Sequence, residues 1–248
     1  MIDIKNLTIR YGARDIVKNV NLKVEKGETL VVMGLSGVGK STLLKAITGL
    51  LKPYGGQVCI YQKDVTKLSK VELDSIRRKI GMVFQSPALF DSLTVGENVA
   101  FGLREFNPKM PEEEIQQVVA EMLSIVDLEG KAHFMPSQLS GGMQKRASLA
   151  RTVATRPDII LYDEPTSGLD PIMSNVINDL INDLKKRFNA TSVVVTHDLE
   201  SAYRVGDKIA MLYQGKIVAH GTWNEFKNSK EPVVQQFIHG SKEGPIKV

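Results

Sequence analysis

A single cysteine, Cys59, stands among 248 residues, which excludes a disulfide framework and a cysteine-rich metal site. No apolar run approaches the roughly 18–20 residues needed to cross a bilayer. The start, Met1-Ile2-Asp3-Ile4, lacks the basic n-region and the hydrophobic h-region of a secretion signal. A cytosolic location is the expectation. Charge of one sign is also scarce: 32 Lys and Arg against 28 Asp and Glu leave a formal +4. Such a balance allows an anionic partner or membrane surface but is no nucleic-acid footprint. The densest basic runs, Arg77-Arg78-Lys79 and Lys185-Lys186-Arg187, read as solvated helix faces or ends. With 42% hydrophobic and 24% charged residues, the chain suits one globular α/β domain with an inserted or appended subdomain.

What is present begins with Gly34-Leu35-Ser36-Gly37-Val38-Gly39-Lys40-Ser41-Thr42. It follows the apolar run Leu30-Val31-Val32-Met33 and leads into Leu43, Leu44 and Ile47, a helix face that stops at Gly49. Strand, glycine loop, lysine, hydroxyl and helix in this order make a P-loop in its required context. The glycines let successive N–H groups point inward as an anion nest, and the helix N-terminus adds its positive dipole end. Lys40 would reach the β- and γ-phosphates, and Ser41 would place a hydroxyl on Mg²⁺. A glycine-rich turn that only joins strand to helix is the weaker reading. The loop is expected to bind a nucleoside triphosphate.

Before that loop, Ile2–Ile9 and Val20–Val24 alternate as half-buried antiparallel strands, bounded by turn signals at Tyr11-Gly12 and Lys26-Gly27. Tyr11 could stack on adenine or be an ordinary strand-end tyrosine, and both readings stay open. After it come a β-like Gln57–Tyr61, a polar helix from about Lys70 to Arg78 and the strand Ile80–Phe84, with Gln85 at its end. The loop Ser86–Leu93 then carries large apolar residues, which loops avoid unless something covers them. A helix is signalled from Pro111, with proline in its first turn and Glu112, Glu113 and Glu114 at the positive dipole end. Its apolar positions Ile115, Val118, Val119, Met122, Leu123 and Val126 follow helical period. Residues of about 86–156 read as a helical subdomain inserted into an α/β core.

Leu139-Ser140-Gly141-Gly142-Met143-Gln144 opens the next helix, which Pro157 ends. Ser140 suits an N-cap, but two glycines in a first turn cost about 1 kcal/mol each relative to alanine. That cost makes sense if an anionic group must approach the bare N–H groups. Asp158–Tyr162 then reads as a buried strand that ends in Asp163 and Glu164. Ligands of open α/β sheets sit beyond the C-terminal strand ends, so both acids would face the nucleotide. Asp163 suits the Mg²⁺ shell and Glu164 can polarise an attacking water. Asp170 before Pro171 is a ready N-cap for a helix with Val176, Ile177, Leu180, Ile181 and Leu184 on one face. The strand Ser192–Val195 delivers Thr196 and His197 to the same edge, where His197 could contact the γ-phosphate or fix Glu164. Ile209–Leu212 and Ile217–His220 read as a hairpin, and Thr222–Glu225 as a capping box. Beyond 225 an apolar stripe, Val233, Val234, Phe237 and Ile238, stops at Gly240. The tail then ends in Ile246 and Val248. It either packs on its own domain or grips a partner chain.

The P-loop, Gln85, Leu139–Gln144, Asp163-Glu164, Ser167–Asp170 and His197, in this order and spacing, resemble the ATP-binding cassette (ABC) ATPases over almost the whole chain. The resemblance implies an α/β fold: a RecA-like P-loop core with an N-terminal antiparallel β subdomain and an inserted helical subdomain. The matching divisions are 1–85 with 157–225 for the core, 86–156 for the helical signature part, and 226–248 for a helix and tail. It implies ATP and Mg²⁺ as ligands, with Tyr11 on adenine and Gly34–Thr42 as Walker A. Gln85 would be the Q-loop residue, and Ser41, Gln85 and Asp163 would serve the metal. Glu164 would be the catalytic base, Asp170 the D-loop residue and His197 the switch histidine. Met143 departs from the family's usual glutamine, and activity is expected to survive because Ser140, Gly141 and Gly142 are intact. Two cassettes would pack head to tail, the second nest of one closing over the γ-phosphate held by the other.

Within the family, the run Phe84–Val95, the signature Leu-Ser-Gly-Gly-Met and the tail Gln236–Pro245 look most like the Mce/Mla-type lipid-transport ATPases. This likeness implies a second copy of the chain, a permease met through exposed Leu89 and Phe90, and an Mce-domain protein reached through that permease. It places the chain on the cytoplasmic face of a bacterial inner membrane, moving phospholipid between inner and outer membranes, with no nucleic-acid partner. Two other readings stay open: an importer ATPase for amino acids or another small solute, and a non-transport cassette such as a cell-division type. The long coiled coil of DNA-repair forms has no counterpart between Lys40 and Leu139, and translation-factor forms carry two cassettes where this chain has one.

Overall fold

The structure, a computed structural model, describes residues 1–247. Two compact units divide the chain, the first running from Met1 to Arg77 and resuming at Thr191, the second spanning Arg78–Ala190. The first opens with β1 (Ile2–Tyr11), β2 (Arg14–Val24), β3 (Thr29–Met33), α1 (Lys40–Ile47), β4 (Gly55–Ile60), β5 (Lys63–Asp64) and α2 (Lys70–Arg77). The second holds β6 (Ile80–Val83), α3 (Val95–Phe106), α4 (Glu112–Ile125), α5 (Gly141–Val153), β7 (Ile159–Asp163) and α6 (Pro171–Phe188). The chain then returns to the first unit for β8 (Thr191–Thr196), α7 (Leu199–Val205), β9 (Lys208–Tyr213), β10 (Lys216–Gly221), α8 (Trp223–Lys227) and α9 (Pro232–His239).

In the first unit, β1 pairs antiparallel with β2 on one side and with β4 on the other. Ile2, Ile4, Leu7 and Ile9 are buried together with Val17, Val20, Leu22 and Val24, so the alternation seen in the sequence does become an inward apolar face. Both strands run longer than expected, because Tyr11 pairs with Arg14 across a tight turn. β3 lies between β8 and β9, parallel to both, and all five of its residues are buried. A strand covered on both faces reads as an unbroken apolar run for this reason. The hairpin β9–β10 turns through Gln214 and Gly215, both at positive φ (48° and 83°), as a two-residue hairpin turn requires. A helix without a counterpart in the sequence reading, α7, begins where Asp198 accepts from the Glu200 and Ser201 amides (3.2 and 3.1 Å).

The C-terminal segment closes on its own unit. Val233 and Val234 are buried, and α9 ends at Gly240 with φ 60°. Gln236 then holds the tail from both sides. Its Nε2 donates to the Ile246 carbonyl (2.9 Å) and its Oε1 accepts from the Ile246 amide (2.7 Å). Tyr213 adds a hydroxyl bond to the Pro245 carbonyl (2.8 Å), and Ile246 is buried. Val248 lies outside the described residues.

In the second unit, β6 and β7 pair parallel, Ile80 opposite Ile159. Their pairing ties both strands to the helices they flank, so this unit reaches beyond residues 86–156 on either side. Pro111 is the N-cap of α4 rather than a residue of its first turn, followed by Glu112, Glu113 and Glu114 at the positive end. The helix α3 is the main departure from the sequence reading. Its capping box has Thr94 accepting from the Glu97 amide while Glu97 accepts from the Thr94 amide. Asn98, wholly buried on α3, fastens the preceding loop. It accepts from the Phe90 amide (2.8 Å) and donates to the carbonyls of Phe90, Leu93 and Thr94 (3.1, 3.1 and 2.9 Å). The structure corrects one expectation: Phe90 is exposed, but Leu89 is half-buried.

Asn98→Ala would leave those loop groups without their partner. It is expected to cost about 2–3 kcal/mol of stability, read as a lower unfolding midpoint of the full chain by circular dichroism. An unchanged midpoint would remove Asn98 as the loop's anchor.

Candidate active site

The first unit carries the phosphate loop. Gly34 is buried at φ 153°, and a Cβ there would run into the Leu212 carbonyl oxygen of β9. Gly39, the N-cap of α1, has φ 112°, and a Cβ would lie 2.8 Å from Ile16 Cγ2. Only glycine meets both demands. Gly39 offers the helix no capping side chain, and the first turn holds no acidic residue, so the helix start keeps its positive end for an anion. Lys40 is only 5% exposed, and its Nζ donates to the Gly34 and Leu35 carbonyls (2.8 and 3.2 Å). Ser36 and Gly37 are exposed, while Val38, Ser41 and Thr42 are half-buried.

Beside the loop opens a cleft of ≈ 480 Å³ whose lining includes Arg14, Asp15, Lys18, Gly37, Val38 and Gln214. Tyr11, 49% exposed, ends β1 opposite Arg14, so its ring is accessible at the hairpin whose second strand lines the cleft. No motif marks Arg14, Asp15 or Lys18. Arg14 and Asp15 pair with Tyr11 and Arg10 at the end of β1, and the Lys18 amide donates to the Gly215 carbonyl (2.7 Å). Met33 pairs with Thr196, so β3 and β8 release Gly34 and the exposed His197 at one edge of this unit.

The second unit gathers the rest. Ser140 caps α5, accepting from the Met143 amide (3.4 Å). Gly141 faces open space, whereas a Cβ on Gly142 would lie 2.7 Å from Met173 Cε. The second glycine lies against the flexible end of the Met173 side chain in the first turn of α6. Asp163 is half-buried at the end of β7, and Glu164 is buried with a left-handed backbone (φ 47°). The exposed Gln85 donates from Nε2 to Ser167 Oγ (3.3 Å), which brings it to the turn behind Glu164. Asp170 caps α6, accepting from the Ile172 and Met173 amides (2.9 and 3.0 Å). Lys145, which the sequence reading passed over, reaches the same turn from α5.

The ABC transporter family profile matches residues 17–167. The chain belongs to that family. The cassette is 44% identical over 247 residues to the intermembrane phospholipid transport ATP-binding protein MlaF of Haemophilus influenzae, covering 100% of this chain and 93% of that protein. Against MlaF of Escherichia coli K12 it is 38% identical over 246 residues, covering 99% and 91%. A dimeric post-hydrolysis structure of the ATP-binding cassette MJ0796 bound to ADP and Pi superposes with TM-score 0.81 at 39% identity, covering 90% of this chain and 98% of that one. The fold is that of the ABC ATPases, and the cassette binds and hydrolyses ATP as the motor subunit of a transporter.

The donor chemistry fits magnesium. Ser41 of the first unit carries a hydroxyl, and Gln85 and Asp163 of the second carry an amide oxygen and a carboxylate, each a hard oxygen donor of the kind magnesium takes. Among the described residues no group of three or more His, Cys, Asp or Glu is placed to hold a metal ion.

Lys40→Ala is expected to weaken ATP binding by about tenfold or more, the loss of a charged contact worth about 1.5–3 kcal/mol. Fluorescence titration with a labelled ATP measures it. Undiminished affinity would overturn the phosphate role of this loop.

Proposed function

We propose that the cassette powers phospholipid transport between two membranes, hydrolysing ATP clasped between two copies of the chain. The likeness to MlaF along the full length carries the lipid part of this reading. The dimeric state of MJ0796 with ADP and Pi supports the pairing of copies. Tyr11 would stack on adenine, and the amides of Gly34–Thr42 would cradle the phosphates with Lys40. Bound through Ser41, Gln85 and Asp163, Mg²⁺ would neutralise phosphate charge. Glu164 would take a proton from the water that attacks the γ-phosphorus, while the bond from that phosphorus to the ADP oxygen breaks. His197 would contact the γ-phosphate from the same copy. Ser140, Gly141, Gly142 and Asp170 would approach it from the other copy.

This reading includes separate permease subunits and, through them, an Mce-domain protein, with the cassette peripheral on the cytoplasmic face of an inner membrane. The exposed Phe90 ring, 4.7 Å from that of Phe101, offers a permease an apolar contact. Among the described residues no helix is long and apolar enough to cross a membrane.

Glu164→Gln is expected to keep ATP binding, abolish turnover and trap a dimer, read by phosphate release and by light scattering after gel filtration. Turnover within a few-fold of the unaltered chain would overturn the base assignment. A strictly single-copy, ATP-loaded variant would overturn the pairing. Purification from native membranes should bring down a permease and an Mce-domain protein. A small-solute importer permease in their place would turn the reading to solute import.

A further inference from the structure

The backbone that presents Glu164 is under strain. β7 ends at Asp163, and the next residue turns into the left-handed region at φ 47°, which a side chain with a Cβ disfavours. Two local bonds close the turn that follows: the Ser167 amide to the Glu164 carbonyl (3.1 Å), and the Leu169 amide to the Thr166 carbonyl (3.2 Å). A short turn of this kind needs support from outside. Lys145 gives it. From the second turn of α5, its Nζ donates to the Pro165 carbonyl (3.0 Å) and to the Ser167 carbonyl (2.6 Å). These acceptors flank the turn directly behind the glutamate.

The lysine is half-buried, and burial lowers its pKa while the negative charge of Glu164 works in the opposite direction. A half-buried cation on two carbonyls makes charge-assisted bonds, stronger than neutral ones. Lys145 also stands five residues past the Ser140 cap, on the helix whose first turn carries Gly141 and Gly142. One side chain thus ties that helix to the turn bearing the acid.

We propose that Lys145 is a positioning residue for hydrolysis: it pins the Pro165–Ser167 turn so that Glu164 is held in a reactive pose. The inference rests on Glu164 being the base, as proposed above. Holding a base in place contributes to the rate of the chemical step and little to ground-state binding. A lysine that only glued α5 to the loop would lower stability and leave the ratio of kcat to KM effects unspecific.

The test uses the full chain carrying Lys145→Met, Lys145→Arg and, in parallel, Glu164→Gln. In Lys145→Met, kcat should fall by about tenfold or more with KM for ATP within about threefold. In the nucleotide-free chain, the Ser167 and Leu169 amides should exchange with deuterium about tenfold faster. Lys145→Arg keeps a cation with several donors and should recover much of both losses. Unchanged exchange with kcat within twofold would overturn the proposal, as would an Arg variant no better than the Met one. If Lys145→Met fails to fold, Lys145→Gln is judged by the same two readouts. Exchange needs no turnover, so it judges the pin even if Glu164→Gln proves active and the base reading falls. An inactive Glu164→Gln beside a fully active Lys145→Met would sink the pin alone.

Discussion

Multiply charged phosphate can be held out of water only by donors that are already in place, and bare backbone amides are the cheapest such donors. That demand shapes the first unit. The chain must bend sharply between β3 and α1, and the bend runs against β9 on one side and β2 on the other. Gly34 meets the Leu212 carbonyl and Gly39 meets Ile16, so no side chain fits at either point. The loop is therefore fixed by its neighbours as much as by its own sequence. Lys40 illustrates the same constraint. A cation that is 5% exposed needs partners, and the Gly34 and Leu35 carbonyls supply them. Those bonds hold the ammonium group against the start of the loop.

The second unit solves a related problem with a strained acid instead of a bent glycine loop. Glu164 follows a buried strand and lies in a left-handed turn with its carboxylate-bearing residue mostly hidden. Such a conformation costs about 1–3 kcal/mol and persists only where its surroundings over-determine it. Gln85, Lys145 and the Asp170 cap all converge on the segment that follows. The dual duty of these residues is physically economical. Asp170 caps α6 whether or not a nucleotide is near, and Gly142 packs against the Met173 side chain whether or not it meets a phosphate. Packing and chemistry select the same residues.

Much of this was legible in the sequence, because the strongest signals are local. The P-loop is a contiguous run of nine residues, and the Thr222 capping box, the Gln214-Gly215 hairpin and the Ser140 and Asp170 caps each rest on neighbours within four residues. Long-range effects were not legible. The capping box at Thr94 is readable in principle, yet α3 follows a loop of large apolar residues, and apolar content alone does not separate loop from helix. Arg14 and Asp15 gain their place from register with β1, Lys18 from its bond to Gly215, and Lys145 from a fold that returns twenty residues later. Leu89, expected to be exposed, is half-buried, and no local pattern in the sequence marks that difference from Phe90.

The loop from Phe84 to Thr94 shows why a buried polar anchor belongs beside an exposed apolar surface. Phe84, Phe90 and Phe101 are 42%, 43% and 41% exposed, and burying them would be the spontaneous outcome for a loose loop. Asn98 prevents that by taking up the loop's amide and carbonyls, while Arg151 donates to the Ala88 carbonyl (2.6 Å). Arg151 sits with its guanidinium carbon 5.9 Å from the Phe90 ring centre, so the loop is held at both ends of its apolar stretch. A surface kept open by buried hydrogen bonds loses little entropy when something docks on it. A cassette that does work on another chain needs a contact that is apolar enough to bind and stiff enough to push.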